Sequence, residues 1–410
     1  MVPHLVTALT GPLLELERRV LEARTAIERW FRLFWQAHEP PFYCSVDLRN
    51  SGFKLAPVDT NLFPGGFNNL GPAFLPLAVQ AATTAIERLC PQAKNLLLVP
   101  ESHTRNRWYL ENVATLAAIL RQTGLEIRIG GLTVREKTEL ETATGRKILL
   151  EPLQREGARL TLEGFDPCAI LLNNDLSAGI PAILEGLEGQ VLLPPLHAGW
   201  ALRRKSRHFA AFDEVAGEFA RLIDIDPWLL DPYYASCGEI DFHARAGEEC
   251  LASNVAALLE KIRAKYLEYG VRETPYVAVK ADAGTYGMGV MMVRDAAEVR
   301  ELNRKQRNKM AVVKEGLAVE QVIIQEGVHT LERIEDKAAE PVVYMIDRTV
   351  IGGFYRVHGA RAADENLNAP GMQFVPLAFE QPCTVPDPGA GCDAPPNRFY
   401  AYGVAARLAL

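Results

Sequence analysis

The segment TPYVAVKADAGTYGMGVMMV, residues 274–293, combines a lysine and three spaced glycines with two short apolar runs. A strand is predicted to end at Lys280, and the following loop holds Gly284, Gly287 and Gly289 before a second strand begins. Glycines let backbone amides approach phosphate oxygens closely, and the lysine adds a positive charge. No Gly-Lys-Ser or Gly-Lys-Thr follows, and the loop leads into a strand rather than a helix, which excludes a P-loop and a dinucleotide fingerprint. A phosphate-binding loop and a plain β-hairpin loop remain as interpretations.

The elements on the amino-terminal side of this segment alternate in type. Apolar residues at helical spacing predict an amphipathic helix from Pro12 to Trp35, and the segment 45–72, rich in Asn, Gly and Pro, is predicted to lack regular structure. Beyond it, apolar runs alternate with helical patterns, which is typical of an α/β lobe with a largely parallel sheet. The elements predicted there are a strand at Asn95–Val99, a helix at Trp108–Thr123, and strands at Glu126–Ile129 and Ala169–Asn173.

Helices connect this lobe to a β-rich end. Helical patterns cover Phe209–Leu222 and Glu248–Tyr269, and Gly270 is a residue type that often ends a helix. The chain beyond is predicted to form an α+β lobe, which divides the protein into 1–200, 201–270 and 271–410. The elements predicted in the last part are strands at Tyr276–Val279, Val290–Val293, Val322–Gln325, Val342–Ile346 and Val350–Val357, and a helix at Ala296–Arg307.

Composition and charge exclude several classes of protein. The 410 residues suffice for two or three lobes, and a formal net charge of -7 argues against nucleic-acid binding. The seven cysteines show no Cys-x-x-Cys spacing, so neither a zinc site nor a disulfide framework is expected. The first twenty residues lack the pattern of a signal peptide, and no run of about 18 residues is apolar throughout. A cytoplasmic protein that does not span a membrane is predicted.

Several longer segments carry a family resemblance. They are FKLAPVDTNLFPGGFNNL, VKADAGTYGMGVMMV, VIIQEGVHT, VVYMIDRTVIGGFYRVHG and ENLNAPGMQFVPL. With a glycine loop, a hinge and an acidic cluster in this order, the chain resembles the ATP-grasp superfamily. It is most similar to the proteobacterial ATP-grasp type of glutamate-cysteine ligase, the first enzyme of glutathione synthesis. The resemblance covers nearly all of the chain and implies α/β plus α+β architecture: an amino-terminal substrate lobe (1–200), a helical connection (201–270) and a carboxy-terminal nucleotide-binding lobe (271–410).

The resemblance also implies which residues hold the nucleotide. Lys280 matches one of the two lysines that hold the phosphates, and Lys205 is the candidate for the other, with a basic helix start as its alternative. Residues 325–328 resemble the hinge that contacts adenine. Glu332 is implied to bind the ribose, with an exposed helix or loop glutamate without that role as the alternative. The predicted nucleotide-binding residues are Lys205, Lys280, Gly284, Gly287, Gly289, Gln325, Glu326, Val328 and Glu332.

A predicted hairpin from Val342 to Val357 turns at Asp347 and Arg348 and carries Arg356 on its return strand. The resemblance places Arg356 near the transferred phosphoryl group, where a guanidinium would neutralise charge. An edge-strand arginine in a surface ion pair is the alternative. Arg356 and Lys280 are the predicted catalytic residues.

The segment DENLN, residues 364–368, is the predicted magnesium site because carboxylate and amide oxygens suit this ion. The superfamily commonly has Glu-x-Asn here, whereas Asn366 stands where that glutamate would be, which leaves Asp364 or Glu365 as the carboxylate. A solvated loop is the alternative. The predicted ligands are Asp364, Glu365, Asn366 and Asn368.

Substrate recognition is expected mostly in the first lobe. The two carboxylates of glutamate call for arginine or lysine, and its ammonium group calls for a carboxylate or carbonyl. Polar residues in the irregular segment and directly after the predicted strands supply these groups, with turn or capping roles as alternatives for each. The predicted substrate-binding residues are Arg49, Lys54, Asp59, Asn61, Arg105 and Asn173.

The predicted reaction joins glutamate to cysteine. ATP phosphorylates the side-chain carboxylate of glutamate, and the amine of cysteine displaces phosphate to give γ-glutamylcysteine and ADP, while a lid over residues 282–289 excludes water. ATP and Mg²⁺ are the predicted cofactors; the predicted partners are small molecules, without nucleic acid or membrane. The alternatives are another ATP-grasp ligase, such as a glutathione synthetase-like enzyme, and a noncatalytic nucleotide-binding protein.

Overall fold

A computed structural model describes residues 11–102, 105–284, 289–312, 318–375 and 399–410. The α-helices of this part of the chain are α1 (Pro12–Glu22), α2 (Arg24–Ala37), α3 (Leu75–Leu89), α4 (Arg107–Gln122), α5 (Lys205–Ile223), α6 (Glu248–Tyr269), α7 (Ala296–Arg300), α8 (Arg304–Met310) and α9 (Tyr400–Ala409). Its strands are β1 (Tyr43–Asn50), β2 (Leu55–Asn61), β3 (Asn95–Pro100), β4 (Glu126–Gly131), β5 (Thr138–Glu141), β6 (Lys147–Pro152), β7 (Gln154–Glu156), β8 (Arg159–Thr161), β9 (Ala169–Asn173), β10 (Val191–Leu193), β11 (Tyr234–Cys237), β12 (Val277–Ala281), β13 (Val290–Val293), β14 (Val322–Glu326), β15 (Arg333–Ile334), β16 (Lys337–Ile346), β17 (Thr349–His358) and β18 (Gln373–Val375).

The first sheet is largely parallel, as predicted for an α/β unit. Its order is β10-β9-β3-β4-β6-β5, and only β5 runs antiparallel to its neighbour. Strand β3 shows why its sequence is a continuous apolar run: Leu96 and Leu98 join one buried cluster, and Leu97 and Val99 join another on the opposite face. A parallel strand covered on both faces needs apolar residues at every position.

The second sheet joins the two ends of the chain. Its order is β18-β17-β16-β1-β2, so the hairpin β1–β2 near the amino terminus pairs with the late hairpin β16–β17. The prediction that segment 45–72 lacks regular structure was therefore wrong for β1 and β2. Residues 51–54 between them form a tight turn in which Ser51 N donates to Lys54 O at 2.9 Å and Gly52 has a φ of 84°. Long-range pairing with β16 stabilises β1 in a way that local composition does not reveal.

The third sheet, β11-β14-β12-β13, is antiparallel throughout. Helix α6 packs on one face, where Leu251 and Val255 share a buried cluster with Val277 and Val279. The alternate residues of β12 therefore point away from α6, which turns Lys280 towards the second sheet. Helix α6 ends at Gly270, whose φ of 65° is left-handed, in agreement with the predicted end.

Two predicted helices are each divided in the structure. The helix expected from Pro12 to Trp35 bends at Ala23, which separates α1 from α2. The helix expected at Ala296–Arg307 stops at Arg300 and restarts as α8, because Asn303 and Gln306 form a reciprocal capping box. None of the helices in the described ranges has both the length and the apolar character needed to cross a membrane.

Candidate active site

Two cavities meet where the second and third sheets face each other. The larger one, the central cavity, has a volume of about 690 Å³ and extends from the second sheet to the carboxyl ends of β3 and β9. The smaller one, the inter-sheet gap, has a volume of about 80 Å³ and lies between the second and third sheets. Asp47, Asp59, Arg356 and Asn368 line both spaces. Molecules bound in the two spaces would therefore meet at one charged wall.

A third space extends the inter-sheet gap outwards. This outer cavity has a volume of about 830 Å³ and shares Val290, Met292, Asn366 and Asn368 with the gap. A cofactor-sized pocket usually needs about 300–1,000 Å³. The gap and the outer cavity together reach that size, whereas the gap alone does not.

The shared wall is built by strand register. Asp47 on β1 lies opposite Asp59 on β2, and Glu340 on β16 lies opposite Arg356 on β17. Arg356 Nη1 donates to Asp47 Oδ2 at 2.8 Å and to Glu340 Oε1 at 2.6 Å, and Arg49 Nε donates to Glu340 Oε2 at 2.9 Å. Arg356 Nε is buried and has no partner among the described residues. The side chain of Arg356 nevertheless lines both the central cavity and the inter-sheet gap, where its positive charge could act on an anionic ligand.

Burial and charge act differently on the two acids that hold Arg356. Burial raises the pKa of Asp47, and the attraction of Arg356 offsets this only in part. Burial also opposes ionisation of Glu340, but Arg49 and Arg356 together outweigh it and lower the pKa of that carboxyl. Glu340 is therefore held as an anion between two arginines, and Asp47 is the acid with less compensating positive charge.

Two lysines approach Asp59 from different elements. Lys205, the first residue of α5, donates to Asp59 Oδ1 at 2.7 Å, and Lys280 on β12 donates to Val58 O at 2.8 Å and to Gln325 Oε1 at 2.6 Å. Burial lowers the pKa of Lys280 to about 8, with the attraction of Asp59 opposing the change. The pKa of Asp59 is lowered because Lys205 and Lys280 outweigh its burial. The structure thus brings Lys205 and Lys280, the two predicted phosphate-binding lysines, to the same side of the gap beside Asp59.

Apolar residues line the remainder of the inter-sheet gap. Ala278, Val290 and Met292 share the face of β12 and β13 that carries Lys280, and Tyr276 and Val328 lie at the end near the predicted hinge. Such a surface suits a flat aromatic ring. Gln325 on the hinge strand also borders the gap; its Oε1 accepts from Lys280, and its Nε2 is buried without a partner among the described residues.

Only part of the predicted glycine loop is described. Gly284 lines the gap with a φ of 105°, and Gly289 borders the outer cavity with a φ of 59°. Both conformations are left-handed and favour glycine. Gly287, with the central part of the predicted lid, lies outside the described residues.

All four predicted magnesium ligands line the outer cavity, and two of them also reach the inter-sheet gap. Asn366 and Asn368 line the gap, and Asn368 also borders the central cavity. Asp364 pairs with Arg294 and Glu365 pairs with Arg361, both at the outer cavity. Within the described residues, no three His, Cys, Asp or Glu side chains group closely enough to hold a metal ion.

Three predicted residues turn away from the cavities. Lys54 is fully buried and pairs with Glu326 at 2.7 Å, and Trp228 Nε1 also donates to that carboxylate at 3.0 Å. Glu326 borders the gap, but its side chain is thus held in the core. Glu332 is buried with Asn50 and Tyr402, and burial raises its pKa to about 7. The structure does not bring Lys54 or Glu332 to any of the three spaces.

The predicted substrate residues mostly line the central cavity. Asp59, Asn61, Arg105 and Asn173 lie in its wall, whereas Arg49 faces the gap. Asn173 is held firmly, because its Nδ2 donates to Tyr43 OH at 3.1 Å and to Pro64 O at 2.9 Å.

Sequence reasoning missed three residues that shape the site. Asp47 and Glu340 position Arg356, and Asn112 Oδ1 accepts from Gly66 N at 2.8 Å and Phe67 N at 3.0 Å, which fixes the loop at the cavity wall. Asp47 lies two residues before Arg49, a spacing that would have indicated a shared face had β1 been predicted. Asn112 lies within a helix, where composition gives no comparable signal.

One family model and one solved structure match nearly the whole chain. The family model GshA, glutamate-cysteine ligase, matches residues 17–410. A crystal structure from Methylobacillus flagellatus KT, provisionally assigned as a gamma-glutamylcysteine synthetase, is 66% identical with a TM-score of 0.91, over 100% of this chain and 97% of that chain. No curated protein matches the chain.

Two more distant structures are far less similar. A glutathione synthetase-like effector from Globodera pallida is 11% identical with a TM-score of 0.39, over 88% of this chain and 83% of that chain. D-alanyl-alanine synthetase A from Vibrio cholerae O1 is also 11% identical, with a TM-score of 0.33 over 70% of this chain and 75% of that chain. Neither score supports an argument about this protein.

The family match confirms the predicted class of enzyme, an ATP-dependent ligase that acts on small molecules. With a match over residues 17–410, the chain belongs to the glutamate-cysteine ligase family.

Proposed function

We propose that this ligase transfers the γ-phosphoryl group of ATP to the side-chain carboxylate of glutamate, and that the amine of cysteine then displaces phosphate. The observation that supports this sequence most strongly is the wall shared by the central cavity and the inter-sheet gap, at Asp47, Asp59 and Arg356. A carboxylate in one space and a terminal phosphate in the other would meet there. Proximity of this kind removes much of the entropic cost of reaction between two bound molecules.

The nucleotide is proposed to occupy the gap and the outer cavity. Its base would lie against Tyr276, Ala278 and Val328, and its phosphates would extend towards Lys280 and Lys205. Gly284 and Gly289 border this path, and their lack of a side chain leaves room for phosphate oxygens. Because the terminal phosphate carries the most charge, its place is beside the lysines and Arg356.

Arg356 is proposed to stabilise the charge that develops during transfer. Asp47 and Glu340 hold its guanidinium in place at the wall of both spaces. A donor that is fixed before the reaction does not need to reorganise when the transition state forms. Lys280 is proposed to act on the same phosphoryl oxygens from the opposite sheet.

Magnesium fits the donors at the shared wall. The ion prefers one or two carboxylates together with other oxygens, and Asp47 and Asp59 lie opposite each other with Asn368 lining the same two spaces. Asp47, Asp59 and Asn368 would hold it there, where it would supply positive charge to the phosphates. Asp364 and Glu365 remain candidates. Their pairing with arginines does not set them apart, because Asp47 pairs with Arg356 and Asp59 pairs with Lys205.

The amino-acid substrates are proposed to bind in the central cavity. Arg105 at its wall would bind a carboxylate of glutamate, and Asn61 and Asn173 would bind polar groups near the reacting end. The cavity volume of about 690 Å³ leaves space for both amino acids at once.

We also propose that the architecture is of the ATP-grasp type. A sheet with Lys280 and the glycine loop faces a second sheet with Arg356, and the gap between them has the hinge at one end. The proposed lobes follow the boundaries 1–200, 201–270 and 271–410, with the hairpin 43–61 contributing to the sheet of the nucleotide lobe. The proteobacterial type is proposed on the segment resemblance.

An omission assay tests the proposed substrates. ADP release is measured with each amino acid alone and in pairs, and the product is identified by mass. We expect ADP release to require glutamate, cysteine and Mg²⁺ together and to yield γ-glutamylcysteine. ADP release that requires glycine and a dipeptide instead would contradict the proposal.

A further inference from the structure

Two cysteines lie in contact at a junction outside the active site. Cys237 is the last residue of β11, and Cys250 is in the first turn of α6. Their sulfur atoms are 3.1 Å apart, and both are free thiols. A disulfide bond is about 2.0 Å long, so an approach of roughly 1 Å would be enough to form one.

The two thiols differ in access. Cys250 is exposed and Cys237 is buried. Burial, together with the contact with Cys250, raises the pKa of Cys237 to about 11. Asn254 Nδ2 donates to Cys250 Sγ at 3.5 Å. Cys250 is therefore the thiol that an external reagent meets first.

We propose that Cys237 and Cys250 form a reactive dithiol that is oxidised by low-molecular-weight disulfides and then joins β11 covalently to α6. The Cys250 thiolate attacks one sulfur of the disulfide, forms a mixed disulfide and releases one small thiol. Cys237 then loses its proton and attacks the Cys250 sulfur, which releases the second small thiol and leaves the protein disulfide. The small disulfide is reduced by two electrons, and the two protein thiols are oxidised by two.

The position of this pair gives the reaction a consequence for the fold. Strand β11 is an edge strand and pairs with β14, where Tyr234 lies opposite Gln325 of the predicted hinge. A bond from Cys237 to Cys250 would close a loop of 13 positions between β11 and α6. Neither cysteine lines the central cavity, the gap or the outer cavity, so oxidation would leave the proposed catalytic residues chemically unchanged.

The reaction would make the protein sensitive to the oxidation state of small thiols. Cystine, the oxidised form of the amine substrate, belongs to the class of disulfides that the pair would meet. This sensitivity depends on the contact of the two sulfurs and does not rest on the proposed path of phosphoryl transfer.

The test is oxidation of the full-length reduced protein with cystine, followed by alkylation, digestion and mass spectrometry. We expect one peptide pair joined through Cys237 and Cys250. In Cys237→Ser, Cys250 should retain one half-cystine as a mixed disulfide, and in Cys250→Ser, Cys237 should remain a free thiol. Cys90→Ser, at a partly buried cysteine elsewhere, is the matched control and should still form the joined peptide.

A thermal melt provides a second readout. We expect the melting temperature of the oxidised wild type to exceed that of the reduced protein by a few degrees, and this shift should be absent in Cys250→Ser. Turnover of reduced Cys250→Ser should match that of the wild type. Full alkylation of both Cys237 and Cys250 after cystine treatment of the folded protein would overturn the proposal. The unfolded protein, oxidised by cystine under the same conditions, shows that the reagent is active.

Discussion

Two buried clusters that each pair a cation with carboxylates have different roles in this protein. Lys54 and Glu326 pair at 2.7 Å in the core, where Trp228 and the backbone N of Tyr233 complete the contacts of the carboxylate. Arg356 pairs with Asp47 and Glu340 at 2.8 and 2.6 Å in the wall between two cavities. The first cluster encloses its cation, whereas the cation of the second, Arg356, lines both the central cavity and the inter-sheet gap.

The difference shows that burial of opposite charges does not by itself create a reactive site. A buried pair whose groups all have partners contributes to specificity of the fold and is costly to break. A charged group that is held by neighbours but faces open space can bind a further ion. The two clusters should therefore respond in opposite ways to substitution, one in stability and the other in turnover.

The largest effect on stability is expected at the enclosed cluster. Lys54→Met leaves Glu326 buried without its cation, and we expect a loss of about 3–5 kcal/mol in the free energy of unfolding. Turnover per folded molecule should remain close to that of the wild type. Urea unfolding and an ADP-release assay on the folded fraction measure the two quantities. A large loss of turnover without a loss of stability would place Lys54 in the active site.

The largest effect on turnover is expected at the cluster in the wall. Arg356→Lys keeps the charge but loses the geometry that binds two acids and a phosphoryl oxygen together, and kcat should fall by about 10²–10³-fold. Arg407→Lys is a matched control, because Arg407 is also buried and pairs with Glu28 at 2.8 Å away from the three spaces. That variant should lose stability and keep its kcat. Equal kcat values for Arg356→Lys and Arg407→Lys would contradict a role in turnover that Arg356 has and Arg407 lacks.

A smaller effect is expected from the two candidate sets of magnesium ligands. Asp59→Asn should raise the Mg²⁺ concentration needed for half-maximal turnover by about 10–100-fold, because it removes a carboxylate from the shared wall. Asp364→Asn removes a carboxylate that pairs with Arg294 in the outer cavity and should have little effect. Titration of activity with Mg²⁺ separates the two sites. The reverse result would assign the ion to the loop 364–368.

The smallest change in activity is expected when the pH is raised, through loss of the charge on Lys280. The pKa of Lys280 is lowered to about 8, so its positive charge is present below that pH and is lost as the pH rises through it. We expect kcat/KM for ATP to fall by roughly tenfold per pH unit above that value. Lys280→Arg keeps its charge and should move the fall to higher pH. A wild-type profile that stays flat to pH 10 would contradict a phosphate-binding role for Lys280.

The sequence predicted elements well where local patterns decide them. The strands on both sides of the glycine loop, helix α6 with its end at Gly270, and the turn at Asp347 were all confirmed. The β1–β2 hairpin was missed because its stability comes from pairing with β16, nearly 300 positions away in the chain. Non-local pairing of this kind leaves little trace in local composition.

The candidate site was predicted unevenly for a related reason. Lys205 and Lys280 were identified from family resemblance, and the structure places both beside the inter-sheet gap. Lys54 and Glu332 have the residue types of a binding site, but the fold turns them into the core. Asp47 and Glu340 escaped prediction because their importance comes from contact with Arg356 across strands.

Transfer of oxygen-18 from glutamate tests the central claim most directly. Glutamate labelled in its side-chain carboxylate is supplied with ATP and cysteine, and the released phosphate is analysed by mass. If the carboxylate accepts the phosphoryl group, the phosphate retains one carboxylate oxygen, and we predict one labelled oxygen per phosphate released. Unlabelled phosphate at normal turnover would contradict an acyl phosphate.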